Sequence, residues 1–354
     1  MNPKQMLKKF SNRYLIDGLS GMALGLFSTL IVGLILKQFG TLIGLKQLVW
    51  LGSIATICTG AGIGISVAYK FKSAPLIIYA SGVSGMVGAY ASKIISGAAF
   101  EGTNIVLSGP GEPLGAFIGA VIGIEIGRLI SGKTKLDIVL TPIVTIITGG
   151  TVGLLVGPPI SSLMNLLGSF IMATTEQAPV IMGILVSTIM GIILTLPISS
   201  AALSIILGLS GTAAGAATVG CSTQMVGFAV ISYRENKLNG LLAQGLGTSM
   251  LQVPNIVRNP RIWIPPILTS AILGPLATKV FEMQNNPAGG GMGTSGLVGQ
   301  LMTWQTMAGS RPDTILFFEI VLLHFILPAI ITLIISEFMR KKKWIKPGDM
   351  KLEV

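Results

Sequence analysis

Ten apolar runs, each close to the roughly 20 residues that a helix needs to cross a hydrocarbon core, follow one another along this chain. They lie at about 15–37, 48–69, 74–97, 113–131, 136–157, 178–198, 200–220, 222–234, 262–282 and 313–338, the eighth being short. A chain that spends this much of its length in lipid must satisfy its backbone from within. The fold class expected is therefore all-α: a polytopic integral membrane protein of about ten transmembrane helices. Three further stretches, 159–175, 238–257 and 294–308, are apolar but interrupted, and read as re-entrant or broken helical hairpins or as helices lying flat on the bilayer.

Composition agrees, since 51% of residues are hydrophobic and only 10% are charged, too little polar surface to clothe a water-soluble globule of this size. The basic leader passes into an apolar stretch long enough to span and without a small-residue cleavage signal, so it reads as a retained first helix. A net charge of +11 could suggest nucleic acid, but the basic residues sit in short clusters between apolar runs and no basic domain stands clear of them. They act instead as topology signals. With the N-terminus in the cytoplasm, the inner side receives Lys4, Lys8, Lys9, Arg13, Lys70, Lys72, Arg128, Lys133, Lys135, Arg234, Lys237, Arg258, Arg261 and the cluster from Arg340 to Lys351, leaving Lys37, Lys46, Lys93, Lys279 and Arg311 outside. Both termini are expected in the cytoplasm.

The chain divides into an N-terminal two-helix segment (1–73), a core (74–338) and a basic cytoplasmic tail (339–354). Within the core, the run from Ser84 to Ala91 resembles that from Ser210 to Ala217, Thr141-Pro142-Ile143 resembles Pro265-Pro266-Ile267, and Gly157-Pro158 has a counterpart in Gly274-Pro275. Two parallel repeats, 74–198 and 200–338, are the resulting expectation.

Glycine is the next signal, with 46 residues. Runs such as Gly60-Ala61-Gly62 and Gly119-Ala120-Val121-Ile122-Gly123 strip bulk from a helix face and let neighbours approach. Where glycine meets proline, at Ser108-Gly109-Pro110-Gly111-Glu112-Pro113, Gly157-Pro158-Pro159 and Asn285-Asn286-Pro287, the helix itself is expected to break. Gly291-x-Gly293-x-x-Gly296 matches a dinucleotide fingerprint in spacing, but no strand precedes it.

Intramembrane polar residues are weighed one by one. Glu125 with Arg128, and Asp17 with Arg13, have the spacing of interfacial ion pairs. Glu112 either contacts a solute or serves the start of its helix, where a carboxylate suits the dipole. His324, the lone histidine, is either a buried neutral residue bonded to a neighbouring helix or a solute ligand. The segment with Thr248, Gln252 and Asn255 offers neutral donors and acceptors suited to hydroxyl groups. Cys221-Ser222-Thr223-Gln224 offers a similar cluster. Cys58 and Cys221 read as packing residues, and no HExxH, GxSxG or Walker pattern occurs, so no catalytic site, metal or cofactor is expected.

Gly-Pro-Gly-Glu-Pro-Leu-Gly-Ala-Phe at 109–117, the stretch from Asp137 to Thr145 and Gly-Pro-Pro at 157–159 resemble the membrane-embedded IIC subunits of the bacterial phosphotransferase system, in particular the branch of the perfringolysin O regulator. The resemblance implies a multi-pass protein of the bacterial inner membrane, a homodimer, with a translocation path for a sugar or related small polar solute. It also implies separate cytoplasmic IIA and IIB partners that carry out phosphoryl transfer. Sugar-transporting IIC subunits place a glutamate and a histidine beside the sugar; Glu112 and His324 are the residues here that could serve, outside any matching motif. A membrane sensor that binds such a solute and signals to a cytoplasmic partner without transport is the alternative.

Overall fold

The computed structural model describes residues 11–175, 178–198 and 200–352. The leader lysines Lys4, Lys8 and Lys9 and the last two residues of the tail lie outside the described residues. The chain forms two compact units, Met1–Leu163 and Met164–Glu353.

The first unit opens with α1 (Asn12–Thr41), followed by α2 (Lys46–Ile57) and α3 (Thr59–Lys70), which meet at Cys58 at an angle of 54°. The single apolar run at 48–69 is thus two helices. Then come α4 (Pro75–Ile95), a short antiparallel hairpin of β1 (Phe100–Glu101) and β2 (Asn104–Ile105), α5 (Pro113–Ile130) and α6 (Asp137–Thr175), whose residues from Met164 onward fall in the second unit. Lipid gives apolar side chains no reason to associate, so these helices cohere by close backbone approach. A Cβ built on Gly85 would sit 2.2 Å from the Gly60 carbonyl oxygen, and one on Gly88 would sit 2.2 Å from that of Gly115. A hydroxyl ties α4 to α6 as well: Ser84 Oγ donates to Thr145 O at 2.9 Å.

Two expectations change here. Arg13 does not pair with Asp17, which is exposed; its guanidinium forks onto Glu125, the shorter bond at 2.6 Å, and lies 4.4 Å over the Phe71 ring. Arg128 also approaches Glu125, at 3.8 Å. The Gly157-Pro158-Pro159 site does not break its helix either, because α6 runs continuously through Pro142, Pro158 and Pro159. A freed carbonyl has no water to turn to in lipid, so the helical path around a proline is retained.

The second unit comprises α7 (Pro179–Thr195), α8 (Ser200–Ile206), α9 (Gly211–Ile231), α10 (Tyr233–Leu242), α11 (Val253–Arg258), α12 (Ile264–Pro275), α13 (Pro287–Gly290), α14 (Val298–Met307) and α15 (Asp313–Lys341). Nearly the whole length of α9 is buried, and α7, α12 and α15 pack around it. Glycine again sets the spacing: a Cβ on Gly220 would fall 1.9 Å from Ser187 O, and one on Gly274 2.0 Å from Gly183 O. Ser187 Oγ donates to Ser270 O at 2.7 Å.

Among the described residues, five helices are long and apolar enough to cross a membrane: α1, α5, the Asp137–Ile160 part of α6, α9 and α15, with the bent pair α2 and α3 as a sixth.

Candidate functional site

Two of the interrupted stretches, separated in the second unit's sequence by α12, meet beside the middle of α9. The first begins with a π-helical turn at Ala243–Gly247. Thr248 then extends (φ −159°, ψ 140°) and caps the next turn through its hydroxyl, which accepts from Met250 N at 3.1 Å. A 3-10 turn, Ser249–Gln252, leads into α11, where Pro254 occupies the first turn and so costs no backbone bond. Ser249 Oγ lies 2.8 Å from Thr195 Oγ1 at the end of α7.

The second stretch starts at Asn285, fully buried, whose Nδ2 lies 2.7 to 3.0 Å from Thr218 Oγ1, Gly299 O and Thr303 Oγ1. Asn286 caps the brief α13 by accepting from Ala288 N and Gly289 N, both at 3.1 Å. The chain then reaches Gly293, which has φ +54° and approaches α9 so closely that a Cβ would lie 2.7 Å from the carbonyl carbon of Cys221. Both the left-handed backbone and the contact require glycine there. Cys221 is at the midpoint of the 21-residue α9, so this loop reaches the middle of that helix. Thr294 Oγ1 next to it donates to Gly245 O, which joins the two stretches.

A buried polar chain crosses from α14 to α15 at this place. Gln300 Nε2 donates to Ser222 Oγ at 3.2 Å and faces His324 Nδ1 at 3.1 Å. An amide nitrogen only donates, so His324 Nδ1 accepts and the ring proton sits on Nε2. Gln300 Oε1 and His324 Nε2 are both buried without a hydrogen-bond partner among the described residues, one an acceptor and one a donor. His324 itself lies in a π-helical turn, Leu322–Ile326, the one-residue bulge by which a helix redirects a side chain.

The five residues singled out from sequence fall into three places. Thr248, Gln252 and Asn255 share the first stretch, but the amide donors of two of them are engaged: Gln252 Nε2 reaches Gln244 Oε1 at 2.8 Å and Met350 O at 3.0 Å, while Asn255 Nδ2 reaches Gln252 Oε1 at 2.9 Å and Lys351 O at 3.0 Å. His324 belongs to the Gln300 group. Glu112 is in the first unit, at the residue before α5, where its own N–H donates to Ala89 O at 2.7 Å and its side chain makes no capping bond to the helix. Gly111 (φ +70°) lets that loop pass Ala89, since a Cβ would lie 2.8 Å from it.

Sequence reasoning did not single out Gln300 or Gln244, and it marked Asn285 only as the start of a helix break. Gln300 lay inside a stretch noted only as interrupted and apolar. Its two glutamines, Gln300 and Gln305, were the available signal.

A helical membrane protein whose broken segments meet at mid-helix beside neutral polar side chains has the architecture of a solute-handling membrane subunit. The family profile "Phosphotransferase system, EIIC" matches residues 16–352, and the chain belongs to that family, the membrane transport component of the phosphotransferase system. Searches of curated proteins and of solved structures returned no match.

Proposed function

We propose that this chain is a permease subunit that carries a neutral, hydroxyl-bearing solute of the sugar class across a bacterial inner membrane. The observation that carries the reading is the buried pair of open atoms on Gln300 and His324, an acceptor and a donor, neither formally charged. A hydroxyl both donates and accepts, so a polyol answers the pair, whereas an anion or cation would be desolvated there without a counter-charge. Each open atom forfeits about 1–3 kcal/mol that a solute hydroxyl restores.

In this reading the stretch with Thr248, Gln252 and Asn255 forms the cytoplasmic approach to the pair, and Glu112 serves the start of α5. The chain works as a homodimer with both termini in the cytoplasm, and separate IIA and IIB proteins supply the phosphoryl group.

The test is uptake and binding of a labelled sugar panel by the protein in vesicles, beside Gln300→Leu and His324→Phe. One sugar should bind, and either substitution should weaken it by about 5- to 150-fold. A sugar bound by the parent and both variants alike would overturn the site, and binding without uptake would replace transport with sensing.

A further inference from the structure

Beyond Lys341 the chain does not trail away from the protein. It reverses at Lys343 (φ +59°) and lays residues 344–352 back across the second unit. Ile345 and Met350 are buried, 1% and 0% exposed, against Phe228, Ile231, Ile256 and Ile262. Four carboxamides from three different parts of the unit hold its backbone. Asn236 acts on the strap as a neighbouring strand would: its Nδ2 donates to Met350 O and its Oδ1 accepts from Leu352 N, both at 2.8 Å. Gln252 and Asn255 donate to Met350 O and Lys351 O, both at 3.0 Å. Asn259 donates to Asp349 Oδ2 at 2.7 Å and to Trp344 O at 3.3 Å, and the Asp349 carboxylate folds back onto Lys346 N at 2.7 Å.

These contacts continue inward. Gln252 also donates to Gln244 Oε1, and Gln244 in turn donates to Ser232 Oγ and Gly240 O, both at 2.9 Å. Gln244 lies in the π-helical turn whose Gly245 carbonyl receives Thr294 from the other broken stretch. Hydrogen bonds from the tail to Gln252 and Gln244, carried on by the peptide link from Gln244 to Gly245, therefore reach the point where the two stretches meet. Ordinary helices fix their own backbones; a segment made of a π turn, one extended residue, a 3-10 turn and a six-residue helix has few internal bonds and takes its shape from what it leans on. The tail supplies the acceptors on its outer side.

We propose that residues 344–352 are a positioning strap: the carbonyls of Met350 and Lys351, seated by the Met350 and Ile345 side chains, set the conformation of the broken segment 243–258. The consequence for solute handling rests on the permease reading above; the positioning does not.

The experiment compares the full chain in lipid nanodiscs with a chain ending at Lys343 and with a full-length Met350→Ala variant, following amide hydrogen exchange. Removing the strap should speed exchange over 249–258 by about tenfold or more, as expected when one buried and one part-buried hydrogen bond are lost, and leave 183–193 in α7 unchanged. Adding a synthetic peptide of residues 344–354 should restore protection, while the same peptide carrying Met350→Asp should not. Met350→Ala should give a smaller acceleration in the same residues. Should the shortened chain fail to fold, the full-length Met350→Ala result decides. Unchanged exchange over 249–258 in a folded strapless chain or in Met350→Ala, or failure of the parent peptide to rescue, would overturn the proposal. Sugar binding is read in parallel: a parent protein that binds no sugar sinks the permease reading and leaves the exchange result standing. If the parent binds, the strapless chain should bind several-fold more weakly and recover with the peptide.

Discussion

The two units share one way of packing helices and differ in what they bury beside it. In the first, contacts run through Gly60, Gly85, Gly88 and Gly115, and inward hydroxyls such as those of Ser84 and Tyr90 give their single proton to a carbonyl. In the second, Gly183, Gly220 and Gly274 make similar contacts, but every buried carboxamide among the described residues is there: Gln224, Gln244, Gln252, Asn255, Asn285 and Gln300. A hydroxyl is satisfied by one good bond to a carbonyl. A carboxamide brings two protons and an oxygen with two lone pairs, and a packed interior rarely answers all of them. Gln224 Nε2 and Gln300 Oε1 are left open in this way. Glycine seams therefore make a wall, and carboxamides set into a wall make a place where something polar can be recognised.

The largest expected effect tests what the units share. Gly88→Leu and Gly220→Leu each drive a side chain into backbone, at 2.2 Å from Gly115 O and 1.9 Å from Ser187 O. Each should cost about 3 kcal/mol or more and remove most folded protein, read as yield and melting temperature in detergent. If one unit tolerates its substitution, the packing is not common to both.

A middle-sized effect tests the difference. Asn285→Ala removes an amide shared among three buried acceptors in the second unit and should cost about 1–3 kcal/mol in thermal unfolding. Ser84→Ala in the first unit takes away one hydroxyl bond and should cost under about 1 kcal/mol. Equal losses would erase the distinction.

The smallest effect is assigned to Glu112. With its backbone N–H donating to Ala89 O at the start of α5, Glu112→Gln keeps the size of the side chain and removes its charge, which should cost about 0.3–1 kcal/mol of stability and leave solute affinity as it was. A large loss of binding would bring the first unit into recognition and end the contrast.

How much of this was legible from sequence depends on range. Hydrophobic run length exposed the helical membrane class, and the interruptions at 238–257 and 294–308 marked the two stretches that meet, because glycine, proline and amide residues disturb an apolar run locally. The bend at Cys58 left no such mark, since the helices on its two sides are equally apolar although they meet at 54°. Gly157-Pro158-Pro159 misled in the other direction, since proline breaks a helix in water more readily than in lipid. The partners of the carboxamides were beyond reach. Gln300 meets His324 across 24 residues and Gln252 meets Met350 across 98, and no periodicity encodes such pairings.

The π-helical turn at Leu322–Ile326 has a bearing on the helix as a length of chain. Such a turn holds one residue more than an ordinary helix needs while both flanks keep their faces toward their neighbours. Deleting a single residue there would let α15 close into regular helix with Thr332 still opposite Thr269, 3.0 Å away in the intact chain, and with Leu316 still packed inward. The same deletion a turn earlier or later would rotate everything beyond it by about 100° and unpick that packing. Within α15 the bulge is therefore the point at which the helix can be shortened by one residue without turning its own far end, and what would be given up is the aim of His324.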